Sequence, residues 1–229
     1  MKTVLRWMRN ALIFFFTSTI LMVVAFKYVP VYVTPLMLMR CVEQLASGHS
    51  MTLEHEWVPL EEITHHLPQA VMASEDNLFL LHHGFDLEQI QKAQLSAERG
   101  GKLRGASTIS QQTAKNVFLW PGRSWLRKGL EVYFTVLIEK IWGKRRIMEV
   151  YLNSIEMGDG IYGAQAVAVL HFNTTAGHLG KKQCALIAAS LPNPIERNSA
   201  HPSKYMLKRQ RQIIDLMPKI DQFPATAGE

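Results

Sequence analysis

Three stretches of the sequence combine acids, amides and cations at spacings that could support chemistry. The first, MASEDNLFLLHHG at residues 72–84, places the adjacent carboxylates Glu75 and Asp76 beside an apolar run. A carboxylate that is partly removed from water has a raised pKa, which suits a proton acceptor working near neutral pH. The same residues could also be ordinary polar members of a turn. The stretch alone therefore leaves the role of Glu75 open.

The second stretch, GASTISQQTAKN, has a helical period, and Ser107 could cap the helix. Four polar side chains would share one face, at offsets of three, four and seven: Thr108, Gln111, Gln112 and Lys115. A hydroxyl, two amides and an ammonium on one face predict binding of phosphate groups and sugar hydroxyls. A merely solvated face would more typically carry glutamate and lysine than paired glutamines.

The third stretch, RKGLE followed by GKRRIMEVYLN, is rich in arginine and lysine. Helical spacing would place three side chains on one face: Arg127, Lys128 and Glu131. The next helix would open with three cations, Lys144, Arg145 and Arg146. Glu149 and Asn153 would lie below Arg145 on the same face. Each pair could be a helix-surface ion pair, worth only about 0.2–0.5 kcal/mol. The alternative is a basic lining around a multiply charged anion, and the sequence leaves both interpretations open.

Composition narrows the possible partners and metal sites. The chain has 229 residues, 48% of them hydrophobic, and a formal net charge of +6, which suits nucleic acid, a phosphorylated ligand or a membrane surface. Cys41 and Cys184 lie in no metal-binding pattern and are interpreted as small buried hydrophobes, although a disulfide outside the cytoplasm stays open. The histidines form no HExxH motif, which argues against a histidine-based metal site.

The N-terminus carries the clearest physical signal. Residues 10–26 contain no charge and are bounded by Arg9 and Lys27, a length near the lower limit of about 17 residues for a membrane-spanning helix. Because Lys2 and Arg6 also precede the run, residues before it are predicted to be cytoplasmic and the rest of the chain external. The alternative is a cleaved signal peptide, but no compact small-x-small cleavage site follows.

The segment after the predicted span, residues 27–45, is expected to lie near the membrane. Its apolar part, Tyr28 to Met39, is too short to span and is broken by Pro30 and Pro35. It could rest at the membrane surface, where tyrosines favour the headgroup level, or pack on the domain as a linker.

From about residue 46 onward, short polar linkers separate helical periods and strand signals are few, so the fold class is predicted as mainly α. Helices are predicted over 59–65 and from Pro68 to about Glu75, each with proline in its first turn. A helix capped by Asp86 is expected to turn three residues inward: Ile90, Ala93 and Leu95. A longer helix is expected to bury one face: Leu126, Leu130, Tyr133, Leu137 and Ile141. GDGIYG predicts a tight turn rather than a nucleotide loop.

Taken in order, these stretches resemble the motifs of the peptidoglycan glycosyltransferases. EDNLFLLHHGFD is similar to E-D-x-x-F-x-x-H-x-G-x-D, through six residues: Glu75, Asp76, Phe79, His82, Gly84 and Asp86. GASTISQQTAKN is similar to G-x-S-T-x-x-Q-Q-x-x-K-N, and RKGLE, RRIMEVYLN, GDGIYG and LPNP also have counterparts, over roughly residues 55–200. No SxxK or KTG motif of a transpeptidase occurs, so the resemblance is to the monofunctional branch.

The resemblance implies a lysozyme-like helical domain, residues 46–229, with a small membrane-associated lobe. It implies polymerisation of lipid II into β-1,4 glycan strands, with release of undecaprenyl diphosphate. The configuration at the anomeric carbon would be inverted. By similarity, Glu75 is the general base and Glu131 the second catalytic carboxylate, near the diphosphate. The implied substrate-binding residues are Arg104, Ser107, Thr108, Gln111, Gln112, Lys115, Asn116, Arg127 and Lys128. The implied supporting residues are Asp76, Phe79, His82, Gly84, Glu149 and Asn153.

The expected partners are lipid II, the growing glycan chain and the membrane, with other cell-wall synthesis or division proteins as further candidates and no nucleic acid. A divalent cation, Mg²⁺ or Mn²⁺, could bridge Glu131 and the diphosphate, although the sequence has no dedicated metal cage and implies no organic cofactor. The expected location is the bacterial inner membrane, with the catalytic domain on the periplasmic side. The alternatives are a lytic glycan-cleaving enzyme on the same fold and a non-enzymatic division scaffold.

Overall fold

The computed structural model describes residues 2–48, 50–98, 107–122 and 124–224, and this part of the chain is mainly helical, as predicted. Its α-helices are α1 Lys2–Tyr28, α2 Pro35–Ala46, α3 His66–Glu75, α4 Leu87–Glu98, α5 Ile109–Phe118, α6 Trp125–Ile141, α7 Gly143–Ser154, α8 Ala164–Phe172, α9 Lys181–Ser190 and α10 Lys204–Leu216. A small sheet contains β1 Glu54–His55, β2 Glu156–Gly158 and β3 Ile161–Tyr162. In it, β3 lies between β1, its parallel neighbour, and β2, its antiparallel neighbour.

Two helix groups enclose one continuous core. In the first, α3 packs against α9 and α10, and in the second, α5 packs against α6 and α7. The largest side chains with no exposed surface come from both groups and from the segments between them: Leu67, Met72, Phe79, Ile109, Ile138, Ile147, Met148, Tyr151 and Leu152. Because α3 ends and α5 begins in this core, the groups at these two helix ends are held in fixed positions.

Helix α1 is long and apolar enough to cross a membrane, and it contains the predicted span 10–26. Its second half packs on the helical domain through polar contacts. The hydroxyls of Thr19 and Tyr133 lie 2.8 Å apart, and the Trp142 indole donates to the Val23 carbonyl over 2.7 Å. Arg146 donates to the carbonyl of Phe26 as well. The apolar helix and the domain are therefore joined directly and not only through the connecting segment.

The predicted elements before residue 80 need three corrections. Residues 59–65 do not form a helix beyond the short 3₁₀ turn Leu60–Glu62. Helix α3 begins at His66 and not at Pro68, because a proline is tolerated throughout the first turn, where its missing N–H has no helical partner. The segment after the span contains a helix that was not predicted, α2, which begins at Pro35 and is capped by Thr34. The end of α3 at Glu75 is as predicted.

Two of the predicted inward-facing leucines point outward. Leu95 is exposed on α4, and Leu126 is exposed in the first turn of α6, although Leu130, Tyr133, Leu137 and Ile141 do pack on the core. An apolar period marks a face that avoids water, but it does not say whether protein or lipid covers that face. Cys41 and Cys184 are both buried, as predicted, and both are free thiols in this structure, which therefore does not contain the disulfide that the sequence left open.

The glycine-rich GDGIYG forms a tight turn, as predicted, between β2 and β3. Gly160 has φ +70° there, and a Cβ atom at this position would lie 2.5 Å from the Thr52 carbonyl oxygen. Only glycine combines that backbone conformation with so close an approach. Glu156, at the start of β2, lines the same cavity as residues of α5 and α6.

Candidate active site

Glu75 is the last residue of α3, and its partly buried carboxylate faces the start of α5. Ser74 donates to Oε1 over 3.0 Å and the Gln112 amide donates to Oε2 over 3.3 Å. Burial raises the pKa of the Glu75 carboxyl, while these two hydrogen bonds offset part of that effect. The predicted proton acceptor at a helix end is therefore in a suitable setting.

Asp76 differs from its neighbour because its carboxylate is fully used within the protein. It accepts from His82 Nε2 at 2.9 Å and from the backbone N–H of Ile109 at 2.9 Å. His82 Nδ1 in turn accepts from the backbone N–H of Gly84 over 3.1 Å. Asp76, His82 and Gly84 therefore tie the loop after α3 to the first turn of α5, and the supporting role that the resemblance implies for them fits these contacts.

Replacing Asp76 by alanine is expected to destabilise the protein by about 1–3 kcal/mol, since it leaves the buried Ile109 N–H without its acceptor. The free energy of unfolding in detergent, measured by chemical denaturation, would show the change. Asp215→Ala, which removes an exposed carboxylate on α10, is the matched control and should leave stability within about 0.5 kcal/mol of the wild type. Equal stability of the two variants would contradict the anchoring role of Asp76.

The polar face predicted on α5 is only half correct. Thr108, and not Ser107, caps the helix: its hydroxyl accepts from the Gln111 N–H over 3.1 Å, and the Gln111 side chain accepts from the Thr108 N–H over 3.0 Å. Both side chains are buried in this reciprocal cap, because the unpaired N–H groups of a first helical turn attract nearby acceptors. Gln112 and Lys115, one turn further on, do face a cavity.

That cavity, here called the basic cavity, has a volume of about 500 Å³. Its polar lining comes from five different segments of the chain: Arg40, Glu75, Ser107, Gln112, Lys115, Asn116, Arg127 and Glu156. Burial lowers the pKa of the Lys115 ammonium; the Glu131 carboxylate opposes this effect, and the nearby charges of Arg127 and Lys128 add to it. A cation that has already lost much of its water gains more from an incoming anion than one at the surface does.

Glu131 lies on α6 beside the basic cavity and is almost completely buried. Its two oxygens are held by cations of the same helix, with Arg127 at 3.1 Å and Lys128 at 2.5 Å, as their spacing in the sequence predicts. Both oxygens are therefore occupied, and no cluster of three or more acidic, histidine or cysteine side chains suited to a metal occurs in the described ranges. These residues do not form a metal cage by themselves, and the divalent ion stays a prediction.

The cations of α7 do not line the basic cavity, so the wider basic lining is wrong. Lys144 pairs with Glu139 at 2.7 Å, Arg146 pairs with Glu149 at 2.6 Å, and Arg145 pairs with Glu61. Glu149 therefore forms its ion pair with Arg146 and not with Arg145. The ion-pair interpretation therefore fits this helix, although two of the three pairs, those of Lys144 and Arg146, are largely buried and do not lie at the surface.

Two further residues that the resemblance implies to be supporting, Asn153 and Phe79, are both buried. The Asn153 side chain is buried and holds the backbone of Val58 through both its oxygen and its nitrogen, so it supports the fold. Phe79 is also fully buried, with the Lys144 ammonium 4.6 Å from its ring centre. Arg104 lies outside the described residues.

A second cavity of about 330 Å³ lies on the other side of Glu75 and is here called the acidic cavity. Its charged lining consists of three carboxylates and one cation: Glu75, Asp76, Asp86 and Arg209. Asp86 caps α4, as predicted, by accepting from the Gln89 N–H over 2.9 Å. Glu75 is therefore the charged residue that the two cavities share, and it can act on a group in one while a second group occupies the other.

Sequence reasoning missed Arg40, Glu156 and Arg209, because none of them lies within the three polar stretches. A signal existed for Arg40, which interrupts the apolar residues of α2 as a single cation. No local pattern marked Glu156 or Arg209, since only tertiary folding brings β2 and α10 to the two cavities.

The chain is mainly helical, and one half-buried carboxylate lies between a cation-lined cavity and an acidic one. This arrangement suits a glycosyltransferase, in which a base activates one substrate and cations stabilise the charge that leaves the other. The model of the transglycosylase family matches residues 42–218, and the chain belongs to that family.

Three similar proteins carry the name biosynthetic peptidoglycan transglycosylase. That of Bacteroides thetaiotaomicron is 64% identical over 223 residues, which cover 97% of this chain and 90% of the relative. That of Caulobacter vibrioides is 50% identical and covers 93% of this chain and 92% of the relative. That of Pseudomonas syringae is 48% identical, with 96% and 93% covered.

Proposed function

We propose that this glycosyltransferase builds peptidoglycan, by polymerising lipid II into linear β-1,4 glycan strands with release of undecaprenyl diphosphate. The observation that carries the proposal is the position of Glu75, shared by an acidic cavity and by a basic cavity that contains Lys115 and Arg127. The names and high identities of the relatives, and the family match over most of the chain, point to the same reaction.

The proposed reaction divides the two substrates between the two cavities. The acceptor lipid II places its 4-hydroxyl at Glu75 from the acidic cavity, and the carboxylate takes the hydroxyl proton. The oxygen attacks the anomeric carbon of the growing chain from the face opposite the diphosphate, so the configuration is inverted. The bond to the diphosphate breaks, and its negative charge develops in the basic cavity beside Lys115 and Arg127.

The cations matter more than a second proton donor, because a diphosphate is already a good leaving group. Arg127 and Lys128 hold Glu131 between them, so this carboxylate would position the two cations and would not itself transfer a proton. A lytic enzyme of similar fold has no diphosphate to hold and would gain nothing from these cations. The basic cavity therefore favours synthesis over cleavage.

The apolar helix α1 suits a substrate that is itself held in a membrane, since both are then confined to one surface. The proposed location is the bacterial inner membrane, with one pass through it and the domain on the periplasmic side. Other cell-wall synthesis or division proteins are proposed as partners. Mg²⁺ or Mn²⁺ is proposed as an accessory ion, which Glu131 would help to hold and which would neutralise part of the charge of the diphosphate.

The full-length protein, purified in detergent and incubated with lipid II, is expected to produce glycan polymer and free undecaprenyl diphosphate in proportion. Gel separation of labelled polymer and chromatography of the lipid product would measure both. A parallel incubation with preformed, uncrosslinked glycan should release no fragments. Fragments from that glycan, with no polymer from lipid II, would instead identify the lytic activity.

A further inference from the structure

The membrane-proximal helix α2 forms part of the wall of the basic cavity. Residues 35–41 precede the region that the family match covers, which begins at residue 42, yet Leu36 and Arg40 both line that cavity. Met37 and Cys41 are buried against the domain, and α2 packs on α5. This helix is therefore a part of the site and not only a connection between the domain and the apolar helix.

The two faces of α2 differ in a way that suits the edge of a membrane. Three apolar side chains on its outer face are more than half exposed: Leu38, Val42 and Leu45. A helix with one exposed apolar face and charged groups elsewhere is typical of the interface between lipid and water. Arg40 would then stand at headgroup depth, the level at which a lipid carries its diphosphate.

The contacts of Arg40 hold its side chain in place without using its whole guanidinium group. Nη1 donates to the exposed Glu43 over 2.8 Å, and Nε lies 3.4 Å from Oε2 of the buried Glu156. Nε is itself buried and has no hydrogen-bond partner in the described part of the chain. Glu156 is fixed in turn, because the Tyr162 hydroxyl donates to its other oxygen over 3.3 Å.

We propose that Arg40 is a substrate-binding residue, which reaches from α2 into the basic cavity and binds the lipid-linked diphosphate together with Lys115 and Arg127. The inference rests on the proposed function and adds a cation from outside the family-matched region. The planar guanidinium group can donate two parallel hydrogen bonds to phosphate oxygens. Contact with the diphosphate would use the terminal nitrogens Nη1 and Nη2, whose one hydrogen bond in the described part of the chain is that from Nη1 to Glu43, while the buried Nε stays beside Glu156.

Arg40→Gln is expected to raise the KM for lipid II about tenfold, with a smaller change in kcat, because a hydrogen-bonded charge contact to the bound substrate is lost. Inhibition by inorganic diphosphate should weaken by a similar factor. Arg40→Lys should recover part of the loss, since it keeps the charge but not the fork. Arg211→Gln, the matched control, removes an exposed cation of α10 that lines neither cavity and should change neither value.

A purely structural role predicts a different pattern. Arg40→Gln leaves Glu156 buried without its cation, and this could lower the melting temperature. The double variant Arg40→Gln/Glu156→Gln should restore thermal stability while its KM for lipid II stays raised. Recovery of KM in the double variant would overturn the proposal, because Arg40 would then only neutralise Glu156.

Phospholipid headgroups offer the same chemistry as the diphosphate, so the lipid surroundings form the last arm of the experiment. The increase in KM of Arg40→Gln should be equal in vesicles of neutral phosphatidylcholine and in vesicles that also contain anionic phosphatidylglycerol. An increase confined to the anionic vesicles would mean that Arg40 binds headgroups, and would overturn the proposal. If the wild type makes no polymer under any condition, the proposed function itself fails, and this outcome is distinct from the others.

Discussion

Glu75→Gln is expected to lower kcat for glycan polymerisation roughly 10²- to 10⁴-fold, the usual contribution of a general base. The amide keeps the size of the side chain and can remain beside Ser74 and Gln112, but it cannot take a proton from the acceptor hydroxyl. Initial rates with lipid II would measure the loss. Glu62→Gln, which changes an exposed glutamate before α3, should keep the wild-type rate. A polymerisation rate close to the wild type in Glu75→Gln would contradict the assignment of the base.

The stability of the same variant separates a catalytic effect from unfolding. Burial favours the protonated form of Glu75 in the folded protein, so its pKa is raised on folding. Between the unfolded and the folded pKa the folded state binds more protons, and stability falls as the pH rises through that window. At neutral pH the ionised carboxylate therefore costs stability, and Glu75→Gln should melt at or above the wild-type temperature.

The pH dependence of the wild-type rate follows from the same shift. The base acts only when it is ionised, so kcat/KM should fall on the acid side as Glu75 becomes protonated. Because the pKa is raised, this limb should lie above the ordinary range of a glutamate. Groups facing Glu75 also shape the limb, among them Arg209, Asp76, Gln112 and Tyr151. The limb should be absent from the residual activity of Glu75→Gln.

The order of the polar stretches predicted much of the site, because each stretch belongs to one helix end or one helix face. Glu75 at the end of α3 and Lys115 on α5 follow from helical period and proline position alone. Arg127 and Glu131 likewise follow from i, i+4 spacing within one helix. Such contacts are local, so that a single sequence contains the information needed to predict them.

The wrong predictions concern competition between local and distant partners. Thr108 and Gln111 have the right spacing to share one polar face. Both side chains instead accept hydrogen bonds from backbone N–H groups of the first helical turn, which have no helical partner. Arg145 has the right charge for the site, but it pairs with Glu61, which is distant in sequence. Arg40 reaches the basic cavity only because α2 folds back on α5. A sequence pattern shows which side chains could make each contact. It does not show which of several possible partners each side chain binds in the folded protein.

Lys115→Met is expected to lower kcat/KM about 10²- to 10³-fold. This is the usual effect of losing one preorganised hydrogen-bond donor at a developing negative charge. The methionine keeps most of the length and the apolar stem, so the wall of the basic cavity is preserved, but the leaving diphosphate loses its desolvated cation. Lys115→Arg should retain more activity, while Lys140→Met, at an exposed position of α6, should match the wild type. Initial rates with lipid II across a range of concentrations would measure all three variants.

Stability should move in the opposite direction from activity. The pKa of Lys115 is lowered mainly by burial, so the folded state binds its proton more weakly than the unfolded chain does. Stability then rises with pH between the folded and the unfolded pKa, and at neutral pH the buried ammonium costs free energy of folding. Lys115→Met should therefore melt at or above the wild-type temperature while it loses activity. A lower melting temperature with unchanged kcat/KM would mean that Lys115 supports the fold and does not bind the diphosphate.

A residue that lowers stability and is needed for the rate is expected where a charged leaving group must be bound. The loss of water around the cation weakens folding, but it strengthens the contact of that cation with the transition state.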